Sequence, residues 1–208
     1  MKKILAYHCL CQDCDKIFQI NRYMTNVINV DDDVEEYIKL LSLTLNCVKC
    51  PECGSVFSYE IPMLIFSNKH KFAIKVNPLC DSYESGSNDE LPALLSKFNY
   101  KYREVTFQIE AVEKLRIFMA DLDDKLIEYI KLKNFKDEDA TPFEEVNIIF
   151  ESTDNLSLHF VKMDSNNNIV SRYEVKHKNY DNVHFTNEQN KWQYINRFTI
   201  NKYIAKEN

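Results

Sequence analysis

Alternating apolar and polar positions predict a series of short strands in the first third of the chain. Residues 2–9 and 17–23 carry β-branched and aromatic side chains on either side of a polar turn, which is typical of a hairpin. The same alternation predicts further strands at 44–49, 56–66 and 70–76. One helix interrupts them, because apolar residues recur at helical spacing from Val34 to Leu41 after three candidate N-cap aspartates, Asp31 to Asp33.

The pattern changes in the rest of the chain. Residues 79–98 are rich in acidic and small polar side chains, which favours a linker or loop. The segments predicted after it are a strand at 100–108, helices at 110–119 and 123–134, an antiparallel meander at 144–186 and a closing helix at 187–205. The prediction is an α+β protein with a small β domain at 1–78, an acidic linker at 79–98 and an α+β domain at 99–208.

Six of the seven cysteines fall into two triplets that repeat one pattern. The sequences CQDC (11–14) and CPEC (50–53) share a C-x-x-C spacing, and a phenylalanine follows each pair by four residues. Two thiolates at this spacing bind one tetrahedral ion when the chain between them turns tightly. We call each such turn a cysteine knuckle. Two knuckles supply four sulfurs, so the sequence predicts one structural Zn²⁺ per chain, bound by Cys11, Cys14, Cys50 and Cys53.

The residues around the second knuckle fit such a turn. Pro51 presets the backbone, and Gly54 permits the positive φ that these turns often need after the second ligand. Asp15 holds the matching position in the first knuckle and tolerates that conformation better than most residues. Cys9 and Cys47 are interpreted as accessory thiols in the adjoining strands, with a second bound ion as the alternative.

Three other readings of the cysteines stay open at this stage. An iron–sulfur cluster also uses four cysteines. A redox dithiol uses a single C-x-x-C, although such motifs normally begin a helix, whereas a strand is predicted after Gly54. Buried free cysteines are the third reading, but they do not explain two matched spacings.

The chain also resembles a known family. CPECG is followed by an apolar strand, IPMLIF, a polar turn and FAIKVNP, and the segment EKLRIFMADLDDKLIEYIKL follows at 113–132. Together with the upstream C-x-x-C and the sequence LTLNCVKCPECG, these features resemble the bacterial CpXC family over most of residues 5–135. The resemblance implies a zinc-ribbon-like N-terminal domain and a bacterial origin, and it implies no activity. The chain departs from the family pattern at Asp15, where a glycine is common, and in its additional thiols Cys9 and Cys47.

A second group of residues could carry chemistry. Asp121, Asp123, Asp124 and Glu128 form an acidic cluster that could bind a hard cation or act as an acid–base pair. The alternative is structural and is favoured here. In it Asp123 caps a helix, Asp124 lies at the helix's positive end, and Glu128 pairs with Lys125 or Lys131.

The charge and the motifs of the chain reduce the number of candidate functions. The net charge of −6 disfavours nucleic acid as a partner, although Lys69, Lys71 and Lys75 could form a basic stripe. No apolar stretch is long enough to span a bilayer, and the first residues do not resemble a signal peptide, which predicts a cytoplasmic protein without a membrane partner. The leading hypothesis is a non-enzymatic zinc-binding module that binds another protein, in a regulatory, immunity or antitoxin-like, or defence-associated role. A nucleic-acid-binding zinc ribbon and a thiol-redox or carboxylate-based enzyme are the alternatives, and no motif indicates a reaction.

Overall fold

A computed structural model describes four stretches of the chain: residues 4–78, 91–134, 147–164 and 168–177. Val183 and Ile195 are described in addition. Residues 187–205, where a closing helix is predicted, lie outside the described residues except for Ile195, which is buried. Among the described residues, no helix has both the length and the apolar character needed to cross a bilayer.

The described elements alternate between strands and helices, as expected for an α+β protein. In chain order they are β1 (Leu5–Leu10), β2 (Ile17–Arg22), β3 (Val27–Asn29), α1 (Val34–Leu41), β4 (Cys47–Lys49), β5 (Val56–Ser58), β6 (Met63–Ser67), β7 (Phe72–Val76), α2 (Leu91–Lys97), β8 (Lys101–Val105), α3 (Gln108–Met119), α4 (Asp124–Asn134), β9 (Asn147–Thr153), β10 (Ser157–Met163) and β11 (Ile169–Lys176). The predicted α+β class is confirmed.

These strands form four separate sheets. Two are antiparallel hairpins, β1–β2 and β4–β5, and each carries one cysteine knuckle. The third has the order β3-β6-β7-β8, with parallel pairs at both edges and an antiparallel pair in the centre. The fourth is the antiparallel meander β11-β10-β9 that the sequence predicts.

Helix α3 is the central element of the largest hydrophobic core. It contacts β7 and β8 of the four-stranded sheet, β9 of the meander, and both α1 and α4. Its apolar side chains Val112, Leu115 and Ile117 are buried together with Ile74 of β7 and Phe150 of β9. Because the core combines both sheets, α3 is enclosed on several sides and not only along one stripe.

The segment between the two predicted domains does not separate two cores. Strand β8 pairs in parallel with β7, so elements from either side of 79–98 are neighbours in one sheet and share the core around α3. Residues 91–97, inside the predicted linker, form helix α2. Residues 79–90 of the predicted linker lie outside the described residues, and the ranges 1–78, 79–98 and 99–208 stay a prediction about domain organisation.

Two local predictions differ from the structure. The strand predicted at 56–66 is two strands, because the chain leaves the β4–β5 hairpin at Ser58 and enters another sheet at Met63. Pro62, which lacks an amide hydrogen, lies in the break. Asp33 is the N-cap residue of α1, but its side chain accepts the Asn29 amide and bonds no amide of the helix.

Asp31 serves a different element from the helix that it precedes. Its carboxylate accepts hydrogen bonds from the Ser67 hydroxyl at 2.7 Å and from the backbone amides of Asn68 and Lys69 at 2.8 and 3.1 Å. It therefore fixes the turn between β6 and β7. The Ser67 hydroxyl makes the leading contribution to a lowered pKa of Asp31.

Asp154 organises the turn between β9 and β10. Its carboxylate accepts the backbone amides of Leu156 and Ser157 at 2.8 and 2.9 Å and contacts Nε2 of His159 at 2.9 Å. The Leu156 amide, followed by the His159 side chain, lowers the pKa of Asp154 from 3.8 to about 2. The Asp154 carboxyl group therefore ionises more readily in the folded protein than in the unfolded chain, and its ionisation stabilises the fold.

We expect the substitution Asp154→Asn to remove a pH-dependent part of the stability. A carboxyl group whose pKa is lower in the folded protein stabilises the fold fully above pH 3.8, its ordinary pKa. This stabilisation is lost as the pH falls towards the folded-state pKa of about 2. The free energy of unfolding of the wild type should therefore exceed that of Asp154→Asn above pH 3.8, and the difference should shrink towards about pH 2. Urea titrations of both proteins over this range measure the difference, which cancels acid effects common to both. A difference that is independent of pH would contradict the prediction.

Candidate metal centre

The two cysteine knuckles have the same backbone hydrogen bonds. In the first, the Cys11 amide donates to the Lys16 carbonyl at 2.9 Å, and the Asp15 amide donates to the Cys11 carbonyl at 2.9 Å. The equivalent bonds of the second join the Cys50 amide to the Ser55 carbonyl at 2.8 Å and the Gly54 amide to the Cys50 carbonyl at 3.1 Å. The repeat seen in the sequence is therefore a repeat of three-dimensional structure.

Both knuckles require a left-handed backbone conformation directly after the second cysteine. Asp15 has φ = +55° and Gly54 has φ = +77°. This confirms the conformation predicted for these positions. A β-carbon at residue 54 would lie 3.8 Å from Cε of Lys49, an ordinary contact, so the backbone angle and not the available space favours glycine there.

We expect Gly54→Ala to weaken the second knuckle through this backbone strain. A left-handed conformation costs a non-glycine L-residue about 1–2 kcal/mol, so the free energy of unfolding should fall by about that amount. Gly54→Asn is the matched control, because asparagine tolerates the left-handed region and should cost less. Thermal unfolding of the metal-loaded proteins measures both effects. Equal losses for alanine and asparagine would show that the backbone angle is not the cause.

A small hydrophobic cluster joins the two hairpins beside the cysteines. The Phe18 and Phe57 rings, which follow the two knuckles, meet edge to face with centroids 6.4 Å apart. Four buried side chains form the centre of this cluster: Cys9, Met24, Val48 and Ile61. The main core around α3 contains none of these residues, so this cluster is a separate and much smaller one.

The four predicted ligand sulfurs come together between the hairpins. Sγ of Cys11 lies 3.6 Å from Sγ of Cys53, and Sγ of Cys14 lies 3.7 Å from Sγ of Cys50. All four sulfurs lie within 4.8 Å of one another. A tetrahedral Zn²⁺ with Zn–S bonds of about 2.3 Å separates its sulfurs by about 3.8 Å, so the donor set and its spacing fit this ion.

The sulfurs differ in their exposure and in their acidity. Cys11 and Cys50 are buried, Cys14 is half-buried and Cys53 is exposed. The backbone amide of Cys53, acting against burial and helped by that of Glu52, lowers the pKa of Cys50 to about 7. At Cys14 the Lys16 amide lowers the pKa, but burial and hydrogen bonds with the other three thiols outweigh it and raise the pKa to about 12. A metal must therefore displace protons from this site, and its binding depends on pH.

The two accessory thiols lie outside the four-sulfur cluster. Cys9 is fully buried in the small hydrophobic cluster, at the place in the first hairpin that Val48 holds in the second. It therefore packs as a small apolar side chain. Sγ of Cys47 contacts the Leu43 carbonyl oxygen at 3.7 Å. Among the described residues, the four-cysteine set is the only group of three or more candidate metal ligands.

The predicted acidic cluster does not converge on one site. Asp121 is fully exposed, and Asp123 caps α4 by accepting the Lys125 amide at 3.0 Å. Asp124 and Glu128 are each 1% exposed and lie against buried basic side chains. Two roles of the structural alternative are present in the structure, namely the helix cap at Asp123 and the pairing of Glu128 with Lys131.

Asp124 and Glu128 belong to a buried network of alternating charges. Asp124 accepts two hydrogen bonds from the Arg103 guanidinium, at 2.6 and 2.8 Å, and Lys114 bonds Glu128 at 2.7 Å. Lys131 lies 2.8 Å from Glu128 and 2.9 Å from both carboxylate oxygens of Glu113. The three cations and three anions balance one another, which is what a buried set of charges requires.

This network connects the four-stranded sheet to the meander. It begins at Arg103 on β8, crosses α3 and α4, and ends where Glu113 accepts the Phe150 amide of β9 at 2.6 Å. Burial raises the pKa of Asp124, but Arg103 and Lys114 outweigh it and hold that pKa well below its ordinary value. At Glu113 burial outweighs Lys131, and the pKa is raised.

Half of the network's six members were not among the residues that the sequence singles out. The segments that contain Arg103, Glu113 and Lys114 have the sequence pattern of ordinary amphipathic strands and helices. The available signal was charge at helix positions that face the core: Glu113 and Lys114 stand next to the buried Val112 and Leu115. Such positions normally hold apolar residues unless the charges pair with one another.

Two matched cysteine knuckles on two hairpins, attached to a mixed sheet-and-helix core, define an α+β protein with a four-cysteine cluster suited to a metal such as zinc. The family model described as "CpXC protein" matches residues 9–131, more than half of the chain, and the chain belongs to this family. The match includes both knuckles and α3, and it ends within α4, before the meander. No curated protein and no solved structure matches the chain.

Proposed function

We propose that this protein is a non-enzymatic interaction module in which one Zn²⁺, held by Cys11, Cys14, Cys50 and Cys53, fixes the structure of the N-terminal hairpins. The observation that carries the proposal is the approach of four sulfurs from two equivalent knuckles to within 4.8 Å of one another. Residues 36 or more positions apart in the sequence meet there in two sulfur contacts. A single shared ion explains why both hairpins present their sulfurs to the same point.

The sulfur spacing favours one ion over a cluster of several. In an iron–sulfur cluster the four cysteines are divided between two or more iron atoms, with sulfide between them. Such a cluster spreads its ligand sulfurs over a larger space than one tetrahedral ion does. The contacts of 3.6 and 3.7 Å are close to the spacing around one zinc ion.

The zinc would supply stability that the small hydrophobic cluster does not. Four buried side chains join the two hairpins, whereas the core around α3 is several times larger. Two-stranded hairpins are marginally stable on their own in water, and structural zinc contributes folding free energy directly. Zinc bound by four thiolates also has no open position for water or substrate, which supports a structural and not a catalytic ion.

A protein partner fits the remaining features better than nucleic acid does. The net charge of the chain is −6, and a polyanion would be repelled by that excess. Of the three lysines in the possible basic stripe, Lys75 is half-buried in β7, and the Lys71 ammonium lies over the Tyr100 ring at 5.0 Å. We place the partner surface on the meander, where β11 is mostly exposed.

The test of this function has two arms on the full-length protein. Elemental analysis after purification without added metal should give about one zinc per chain, as a closed four-thiolate site requires. Iron in place of zinc, or no metal, would reject the structural-zinc part. Affinity purification from the native cells should recover a protein with the wild type and lose it with Val170→Asp, a change at an exposed position of β11.

Nucleic-acid binding is the result that would contradict the second part of the proposal, the protein partner. Single- and double-stranded DNA and RNA are titrated with the protein at two salt concentrations. Micromolar affinity that falls steeply with salt would replace the protein-partner proposal with the nucleic-acid alternative. Lys69→Glu is the matched variant for that case, because Lys69 is exposed in the β6–β7 turn.

A further inference from the structure

The four sulfurs of the cluster are unequal in a way that bears on oxidation. Cys11 and Cys50 are 0% and 1% exposed, whereas Cys53 is an exposed residue and Cys14 is intermediate. Of the four ligand residues, Cys53 is therefore the most open to solvent. Thiolates react with peroxides according to their access and their ionisation, and zinc keeps bound cysteines ionised.

The exposed sulfur has a buried partner on the other hairpin. Sγ of Cys53 lies 3.6 Å from Sγ of Cys11, and a disulfide requires these atoms to approach to about 2.0 Å. A bond between them would connect the β1–β2 hairpin to the β4–β5 hairpin. The two hairpins would then stay joined without the metal, because a covalent bond replaces two of its four ligands.

We propose that the zinc centre is a peroxide-sensitive switch, in which oxidation of Cys53 leads to a Cys11–Cys53 disulfide and to release of the zinc ion. This inference rests on the proposed function, since it requires zinc in the cluster. Cys53 is the site of first attack, Cys11 is the resolving thiolate, and Cys14 and Cys50 are left as free thiols.

The reaction balances with hydrogen peroxide as the oxidant. The Cys53 thiolate attacks one peroxide oxygen, the O–O bond breaks, and the products are a sulfenic acid and hydroxide. The Cys11 thiolate then attacks the Cys53 sulfur and displaces a second hydroxide. In total, two thiolates and one peroxide, with two protons from solvent, give one disulfide and two waters. Cys14 and Cys50 alone would not complete a tetrahedral site, so a bound Zn²⁺ would leave as the free ion, and each of these two thiolates would take up one further proton from solvent.

The other cysteines of the hairpins are poorly placed for this reaction. Cys9 is 0% exposed inside the small hydrophobic cluster, and Cys47 contacts the Leu43 carbonyl oxygen, away from the four sulfurs. Neither belongs to the set of sulfurs within 4.8 Å. Oxidation is therefore directed to the cluster and not to its neighbours.

The test uses the zinc-loaded full-length protein and hydrogen peroxide. A chromogenic chelator follows zinc release, and mass spectrometry of peptides cut without reduction identifies the disulfide. We expect zinc release in step with formation of the Cys11–Cys53 disulfide, and recovery of zinc binding after a dithiol reductant and Zn²⁺ are added. Retained zinc at peroxide levels that oxidise a free cysteine, or a disulfide at another pair of cysteines, would overturn the switch.

Two histidine variants separate the exposed ligand from a buried one. Histidine binds zinc but forms no disulfide, so Cys53→His should keep the metal and slow its release by peroxide at least about fivefold. Cys50→His changes a buried ligand but leaves Cys11 and Cys53 in place, so peroxide should still form the Cys11–Cys53 disulfide and release zinc faster than it does from Cys53→His. Equal slowing in both variants would refute the role of Cys53. If neither variant binds zinc, the pair of cysteines that peroxide joins in the wild type tests the proposal instead.

The same experiment distinguishes this inference from the proposed function. A wild-type protein that contains no zinc before oxidation rejects the proposed function, and the switch with it. A protein that contains one zinc and keeps it under peroxide rejects the switch alone. Replacing Cys47 with serine should change neither the zinc content nor the release rate, because Cys47 is outside the cluster.

Discussion

Replacing Cys50 with serine is expected to cause the largest loss of structure of any single substitution in this protein. The serine hydroxyl does not replace a thiolate in a tetrahedral zinc site, and structural zinc supplies about 10–16 kcal/mol in small zinc-binding peptides. The small cluster between the hairpins cannot offset a loss of that size. We therefore expect residues 5–22 and 47–58 to unfold locally while the core around α3 stays folded.

Hydrogen exchange measured by mass spectrometry tests this expectation with regional resolution. Amides in β1, β2, β4 and β5 should lose protection in Cys50→Ser, whereas those in α3 and β7 should keep it. Chelation of the wild type should give the same pattern. Cys47→Ser is the matched control, because Cys47 is three residues away and outside the four-sulfur cluster. Full protection of the hairpins after complete zinc removal would contradict a structural role for the metal.

Replacing Lys114 with methionine is expected to cause the largest loss of stability outside the metal centre. Lys114 is 2% exposed and bonds Glu128 at 2.7 Å, with Asp124 at 3.4 Å. Methionine fills similar space but leaves three buried carboxylates with two buried cations. Removing one partner from a buried charge network typically costs about 3–5 kcal/mol.

Urea denaturation of Lys114→Met and of a matched surface variant measures this cost. Lys39→Met is the control, because Lys39 also pairs with a glutamate, Glu35, but at an exposed position of α1. The surface pair should matter much less than the buried one, since solvent screens it. A loss below about 1 kcal/mol for Lys114→Met would show that the network tolerates an unpaired charge, against the expected cost of one.

The buried network also joins the region that the CpXC family model matches to the meander. The family match ends at residue 131, and Lys131 bonds Glu113, whose carboxylate accepts the Phe150 amide of β9. Apolar packing and this hydrogen bond to a charged acceptor therefore hold the meander against the rest of the described chain. Charged acceptors make hydrogen bonds that are stronger than neutral ones.

The cysteine knuckles were predictable because their information is local. A C-x-x-C spacing, a following glycine or aspartate and a strand after the turn lie within a few residues of one another. Backbone geometry alone then fixes the hydrogen bonds and the positive φ of Asp15 and Gly54. The α+β class, α1, α3, α4 and the meander were likewise predictable from periodic patterns within single segments. The role of the four cysteines as zinc ligands stays a prediction until metal is measured.

The features that the sequence alone did not determine are those that depend on contacts between distant segments. The parallel pairing of β7 with β8 could not be predicted from the sequence, because the alternation of apolar and polar residues in a strand is the same whichever strand pairs with it. The charges of Arg103, Glu113 and Lys114 look solvent-exposed in the sequence, and only the packing of α3 between two sheets buries them. The sequence by itself therefore determined most of the helices and strands, and the four cysteines of the cluster. The tertiary structure alone decided which strands are neighbours and which charges must pair, since burial depends on the whole fold.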